Sequence, residues 1–143
     1  MKIIKASPSH IADLVKIEEE CFEDNYSEKT LLSDIKNKLN EMYIALEDDG
    51  VVGYINVFHI FEEANLVKIA VIEGYRRLGI ATKLLDYVTQ KLVKQGVTKM
   101  YLEVSDKNEK AIKFYKKNGF EETTKRENYY KDLSDAIIMW KYF

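Results

Sequence analysis

With 143 residues the chain has the length of one domain spanning residues 1–143. Its 46% hydrophobic and 32% charged residues are the balance of a globular protein that buries a core without staples. A formal net charge of −2 argues against a dedicated nucleic-acid binder, which would show a basic surface. The single cysteine, Cys21, excludes an internal disulfide and makes a reducing cytoplasm the expected compartment.

Lys2 to Ala6 reads as a short strand; its brief apolar pair is not expected to act as a signal peptide. Ser7 is placed as a helix N-cap with Pro8 at the first helical position, where a missing N–H costs nothing. Ile11, Leu14, Val15, Cys21 and Phe22 then recur at helical spacing, so Cys21 is expected to be an inert buried thiol, a nucleophile being the other reading. Ser27 caps a second helix with Leu31, Leu32, Ile35 and Leu39 on its buried stripe. Met42 to Leu46 and Val51 to Phe58 are strands joined at Asp48-Asp49-Gly50, a hairpin signal. A strand from about Asn65 to Val71 follows.

After a polar turn, Ala81, Leu84, Leu85, Val88 and Leu92 mark a long helix that stops near Gly96. Lys99 to Val104 alternates as a strand, Asn108 to Asn118 is a short helix ended by Gly119, and two strands near Phe120–Glu127 and Ala136–Tyr142 flank a polar loop. The order β-α-α-β-β-β-α-β-α-β-β suggests an α/β three-layer fold with both antiparallel and parallel pairs. His10 and His59 have no neighbours at metal-ligand spacing, so both are expected to be solvated or satisfied, with no metal site. No segment approaches the ~20 apolar residues of a membrane span.

The most informative stretch is Leu66 to Leu85. A strand, then Arg76-Arg77-Leu78-Gly79-Ile80-Ala81-Thr82, then a helix places consecutive backbone N–H groups at a helix N-terminus, a site for a pyrophosphate. Gly79 permits close approach, and Arg76 and Arg77 add positive charge. The string is neither the GxGxxG dinucleotide fingerprint nor a P-loop, since the Gly-Lys-Ser/Thr ending is missing. On its own, it is equally a plain strand–helix loop.

This string resembles the Arg/Gln-x-x-Gly-x-Gly/Ala signature of the GNAT N-acetyltransferases, where it holds the coenzyme A pyrophosphate. Asn108, Ala111, Tyr115 and Gly119-Phe120 are similar to the family's second motif, and Leu66 to Val71 to its preceding strand. Within the family the chain is most similar to RimI-type ribosomal-protein alanine N-acetyltransferases and related archaeal N-terminal acetyltransferases. That likeness includes Glu63-Ala64, Tyr101 to Val104, Arg126-x-Asn128-Tyr129-Tyr130 and Asp135 to Met139.

The resemblance implies the GNAT fold, a mixed and mostly antiparallel sheet of seven strands flanked by four helices, with acetyl-CoA as co-substrate. It implies cofactor contacts from Ile69, Ala70, Val71, Arg76, Arg77, Leu78, Gly79, Ile80, Ala81, Thr82 and Asn108. Glu103 would accept the amine's proton and Tyr115 would protonate the departing thiolate, while the Val71 N–H faces the oxyanion. Read without the resemblance, Glu103 is a solvated strand residue and Tyr115 a core aromatic.

The acceptor implied is the α-amine of a protein N-terminus, with a small-subunit ribosomal protein as the first candidate. Acid–base chemistry agrees: an α-amine titrates near ~7.7–8.0 and lysine near ~10.4, so roughly a few hundred times more α-amine is neutral at pH 7. Tyr129 and Tyr130 on the last loop, and Tyr26 before the second helix, are the candidate substrate contacts; an anchored surface loop is the other reading of the tyrosine pair. The chain departs from the RimI-type pattern at Asn25-Tyr26-Ser27, where those enzymes tend to carry Pro-Trp-Ser. Two alternatives stay open: acetylation of a small amine or lysine side chain, and a non-catalytic acetyl-CoA-binding module.

Overall fold

The computed structural model describes residues 1–48 and 50–143. Its elements are β1 (Lys2–Lys5), a 3-10 turn (Pro8–His10), α1 (Ile11–Cys21), α2 (Glu28–Lys36), β2 (Asn40–Glu47), β3 (Gly50–Ile60) and β4 (Glu63–Val71). A second 3-10 turn (Glu73–Tyr75), α3 (Ile80–Lys94), β5 (Lys99–Ser105), α4 (Glu109–Lys117), β6 (Glu121–Arg126) and β7 (Ala136–Tyr142) complete it. The strands form one sheet in the order β1-β2-β3-β4-β5-β7-β6, antiparallel throughout except between β4 and β5. This is the mixed, mostly antiparallel sheet with four helices that the motifs imply. Of the expected hairpin turn, Asp49 lies outside the described residues.

Alternation on the strands builds two cores, one on each face of the sheet. On one face Tyr43, Ala45, Ile55 and Leu66 pack against Ile80, Leu84, Leu85 and Leu92 of α3, with Ala111, Ile112 and Tyr115 of α4 at the margin. On the other, Met42, Ile44, Tyr54 and Ala70 meet Leu14 and Ile17 of α1 and Leu31 of α2. Met100, Leu102 and Val104 are buried, whereas Glu103 is exposed, as the alternation of β5 predicts.

Three expectations need correction. Leu39 does not belong to the α2 stripe: the helix ends at Lys36, and Leu39 is an exposed residue of the turn into β2. The local reason is Asn37, whose side chain accepts the Leu39 N–H and folds the chain away from helix. Phe22 likewise lies beyond α1, in extended backbone. Finally, Nε2 of His59 is buried with no hydrogen-bond partner among the described residues, so this nitrogen, on a residue that is itself only half-buried, is neither solvated nor satisfied. His10 is satisfied, accepting the Ser7 N–H at 3.0 Å.

The sequence pattern gave no warning of Glu18, a carboxylate on α1 with 0% exposure. It accepts from Lys68 Nζ at 2.6 Å, from the Tyr26 N–H at 2.6 Å and from the Tyr54 hydroxyl. The Lys68 ammonium also sits over the Phe22 and Tyr26 rings and donates to the Asp24 carbonyl. A buried charge survives only when so paired and hydrogen-bonded. The network ties the α1–α2 connection to β4.

Candidate active site

β4 and β5 pair only over Glu63–Asn65 and Lys99–Tyr101, and beyond this short ladder no further pairing joins them. Val71 stands opposite Gly53 on β3, and the next N–H, of Ile72, donates to Val52 O. That register makes Val71–Gly53 a non-hydrogen-bonded pair, so the Val71 N–H points away from β3, toward the gap beside β5. It is thus a backbone donor free to meet an oxyanion there.

Next to this gap lies a cleft of about 560 Å³, lined by Val71, Tyr75, Arg76, Arg77, Gly79, Ile80, Ala81 and Thr82 from the turn and by Lys110, Lys113, Phe114 and Lys117 of α4. Gly79 caps α3 at φ 79°, in the left-handed region where glycine is strain-free, and no acidic residue occupies the first turn. The first N–H groups of a helix have no intrahelical partner, so the turn presents donors to an anion. The residues present therefore suit a diphosphate. Arg76 is partly committed: its Nε donates to Val71 O at 2.8 Å and a terminal nitrogen approaches Cys21 Sγ at 3.6 Å.

A Cβ at Gly79 would meet no atom within 4 Å, and Asp tolerates the left-handed region comparatively well. Gly79→Asp is therefore expected to fold normally but to bind coenzyme A at least about tenfold more weakly, through charge repulsion at the turn. Calorimetry that finds equal affinity excludes the turn as the anion site.

Other expected cofactor residues are placed differently. Ala70 directs its side chain into the core on the other face, and the same register turns its N–H and C=O toward Tyr54 of β3 rather than into the gap. Leu78 is exposed, and Ile69 packs at the margin of the α3 core; neither lines the cleft. Asn108 caps α4, its Oδ1 accepting the Ala111 N–H at 3.2 Å. Cys21 is half-buried at the edge of the gap, its thiol 3.8 Å from Val71 O, and burial pushes the thiol's pKa up.

Glu103 faces outward from β5, with Arg126 of β6 4.0 Å from its carboxylate. Tyr115 lies between Phe114 and Phe120, at centroid distances of 5.5 and 5.8 Å. Burial first, and then Tyr130, push its hydroxyl up to about 12, so it keeps its proton at neutral pH. Tyr130 is raised as well, by burial and then by the Glu103 carboxylate. Tyr130 is therefore within electrostatic reach of both Glu103 and Tyr115.

Tyr130 is set by the turn structure of residues 127–135: the N–H groups of Tyr129 and Tyr130 donate to Ser134 O, and Asn128 and Leu133 adopt positive φ. A second cavity, of about 450 Å³, opens there between Glu23, Asp24, Ser105, Tyr130, Lys131, Asp132 and Ser134. Two of the three expected substrate tyrosines do not line it. Tyr26 is packed into the Glu18–Lys68 network, and Tyr129 is exposed beside Tyr130. Sequence reasoning missed the α4 lysines, whose spacing of three and four was the available signal, and the acidic wall of the second cavity, which no local pattern announces. The described residues contain no cluster of three or more His, Cys, Asp or Glu side chains suited to a metal.

Known proteins share this fold. The ribosomal-protein-S18-alanine N-acetyltransferase of Escherichia coli superposes with a TM-score of 0.90 at 30% identity, covering 99% of this chain and 92% of that one. An N-alpha-acetyltransferase of Sulfurisphaera tokodaii is 32% identical over 96% of this chain and 90% of its own length. The PaiA N-acetyltransferase of Thermoplasma acidophilum, solved with coenzyme A, shares the fold with a TM-score of 0.86 at 22% identity, over 99% of this chain and 98% of that one. The model of the acetyltransferase (GNAT) family matches residues 11–120, a stretch that contains the diphosphate turn, Glu103 and Tyr115, and on that match the chain belongs to the GNAT acetyltransferases.

Proposed function

We propose that this chain is an N-acetyltransferase that moves the acetyl group of acetyl-CoA to the α-amine of a protein N-terminus, with a small-subunit ribosomal protein as the first candidate acceptor. The observation that supports the reading is that Tyr130, which lines the acidic-walled cavity, lies within electrostatic reach of both Glu103 and Tyr115, in a protein that also has a cleft suited to an anion. Relatives named as N-alpha-acetyltransferase and ribosomal-protein-alanine N-acetyltransferase support the choice of acceptor.

The bound thioester supplies the activated acetyl group. Glu103 takes the proton of the attacking amine, directly or through one water. The Val71 N–H donates to the oxygen that gains charge in the tetrahedral state. Tyr115 donates to the departing sulfur, but complete transfer has a cost. Moving a proton from a phenol at about 12 to a thiolate near ~8.5 runs uphill by roughly three orders of magnitude. Hydrogen-bond donation in the transition state, with the thiolate finally protonated from water as Glu103 returns the amine's proton to solvent, is therefore the role its chemistry favours.

Tyr115→Phe keeps the ring between Phe114 and Phe120, so its melting temperature is expected to move little, while kcat falls about tenfold or more and acetyl-CoA affinity holds. Unchanged kcat would leave Tyr115 as packing alone. A free-thiol assay comparing short N-terminal peptides with spermidine and with an N-terminally blocked lysine peptide tests the acceptor. The proposal expects turnover chiefly on free N-termini. Faster turnover of spermidine or of the lysine side chain would overturn it, and so would tight acetyl-CoA binding without turnover on any amine.

A further inference from the structure

Five cations line the anion cleft: Arg76 and Arg77 on the turn, and Lys110, Lys113 and Lys117 on α4. None of the lining residues is a carboxylate, in a protein whose net charge is −2. The three lysines follow one another at intervals of three and four, so they share one helix face, and all three are exposed. Phe114, between them in sequence, adds an apolar surface to the same wall. Lys116, also on α4, does not line the cleft.

A diphosphate seated on the turn already has the α3 N-terminus, Arg76 and Arg77. The α4 wall therefore carries cationic charge beyond what a diphosphate needs, on the side of the cleft opposite the turn. Coenzyme A has one more anion, the phosphate monoester on its ribose, with about −1.5 to −2 charge at pH 7. It also has an adenine, which suits an aromatic edge.

We propose that the basic face of α4 recognises this ribose phosphate, so that the chain selects coenzyme A over dephospho-coenzyme A; the inference rests on the acetyl-CoA reading above. Lysine ammonium groups on flexible stems suit the task, because they follow a phosphate as point charges without demanding a fixed fork geometry. Exposed pairs are individually weak, so the effect is shared among the three side chains rather than held by one.

Calorimetry with coenzyme A and dephospho-coenzyme A, on the wild type and on the triple variant K110Q/K113Q/K117Q, tests this. The wild type is expected to bind coenzyme A about tenfold tighter than dephospho-coenzyme A, a preference that shrinks as salt is raised. In the triple variant the preference is expected to vanish through weaker coenzyme A binding, with dephospho-coenzyme A affinity held within about twofold. K116Q is expected to change neither. Equal affinity of the wild type for the two ligands overturns the inference while the acetyl-CoA reading stands. Equal weakening of both ligands in the triple variant also overturns it, since the lysines then serve the diphosphate. Failure of the wild type to bind either ligand overturns both. Because the three positions are exposed, an unchanged thermal melt of the variant confirms that binding, and not folding, is being read.

Discussion

Glu103→Gln is expected to lower kcat/KM on an N-terminal peptide by about 10²–10⁴-fold, the usual contribution of a general base. The loss is expected to be greatest below pH ~7.7–8.0, where the α-amine is mostly protonated and a proton must be removed before attack. Glutamine preserves the size of the side chain, and the residue is exposed on β5, so stability should hold. Acetyl-CoA affinity should hold too, because Glu103 does not line the anion cleft. The measurement is a pH–rate profile of both proteins at saturating acetyl-CoA. A mutant profile with unchanged height and shape assigns the proton to another group or to bulk water.

The second large effect is on stability. Lys68→Met leaves the Glu18 carboxylate buried at 0% exposure without its cation, keeping only the Tyr54 hydroxyl and the Tyr26 N–H. Breaking one side of a buried ion pair costs about 3–5 kcal/mol, which for a chain of this size is a fall of roughly 10–15 °C in Tm. Adding Glu18→Gln to Lys68→Met removes the stranded charge and is expected to restore part of the loss. A single mutant within about 1 kcal/mol of wild type in denaturant titration would show that water reaches Glu18. The same network fixes Asp24 and Tyr26, next to the wall that Glu23 and Asp24 give the second cavity. The double mutant is therefore expected to show a raised KM for peptide with little change in acetyl-CoA affinity.

Much of this molecule is local in origin, and local features are readable. The alternation of Met100, Leu102 and Val104 against Tyr101, Glu103 and Ser105 set both the strand and the outward direction of the candidate base. Ser27 caps α2 as expected, its Oγ accepting the Thr30 N–H at 3.2 Å. The turn from Arg76 to Thr82 is also a local object: Gly79 at φ 79° followed by a helix N-terminus needs nothing from the rest of the chain to present its N–H groups.

The tertiary structure decided what depends on residues distant in sequence. Glu18 sits on the buried face of α1 with Leu14 and Ile17, a placement the sequence pattern did not announce. It becomes tolerable only because Lys68, fifty positions away, and Tyr54 arrive from two strands to meet its charge. Tyr26 looked like a substrate contact for its place in a motif, yet its N–H and ring are taken up by that network. The lysines of α4 went unread in the sequence, and only the packing of α4 beside α3 and its turn brings them to line the same cleft. Local sequence fixes backbone periodicity and turn chemistry, because those are set within a few residues of chain. Which charges face one another is set by how helices and strands pack across the sheet, and so it appears only in the folded protein.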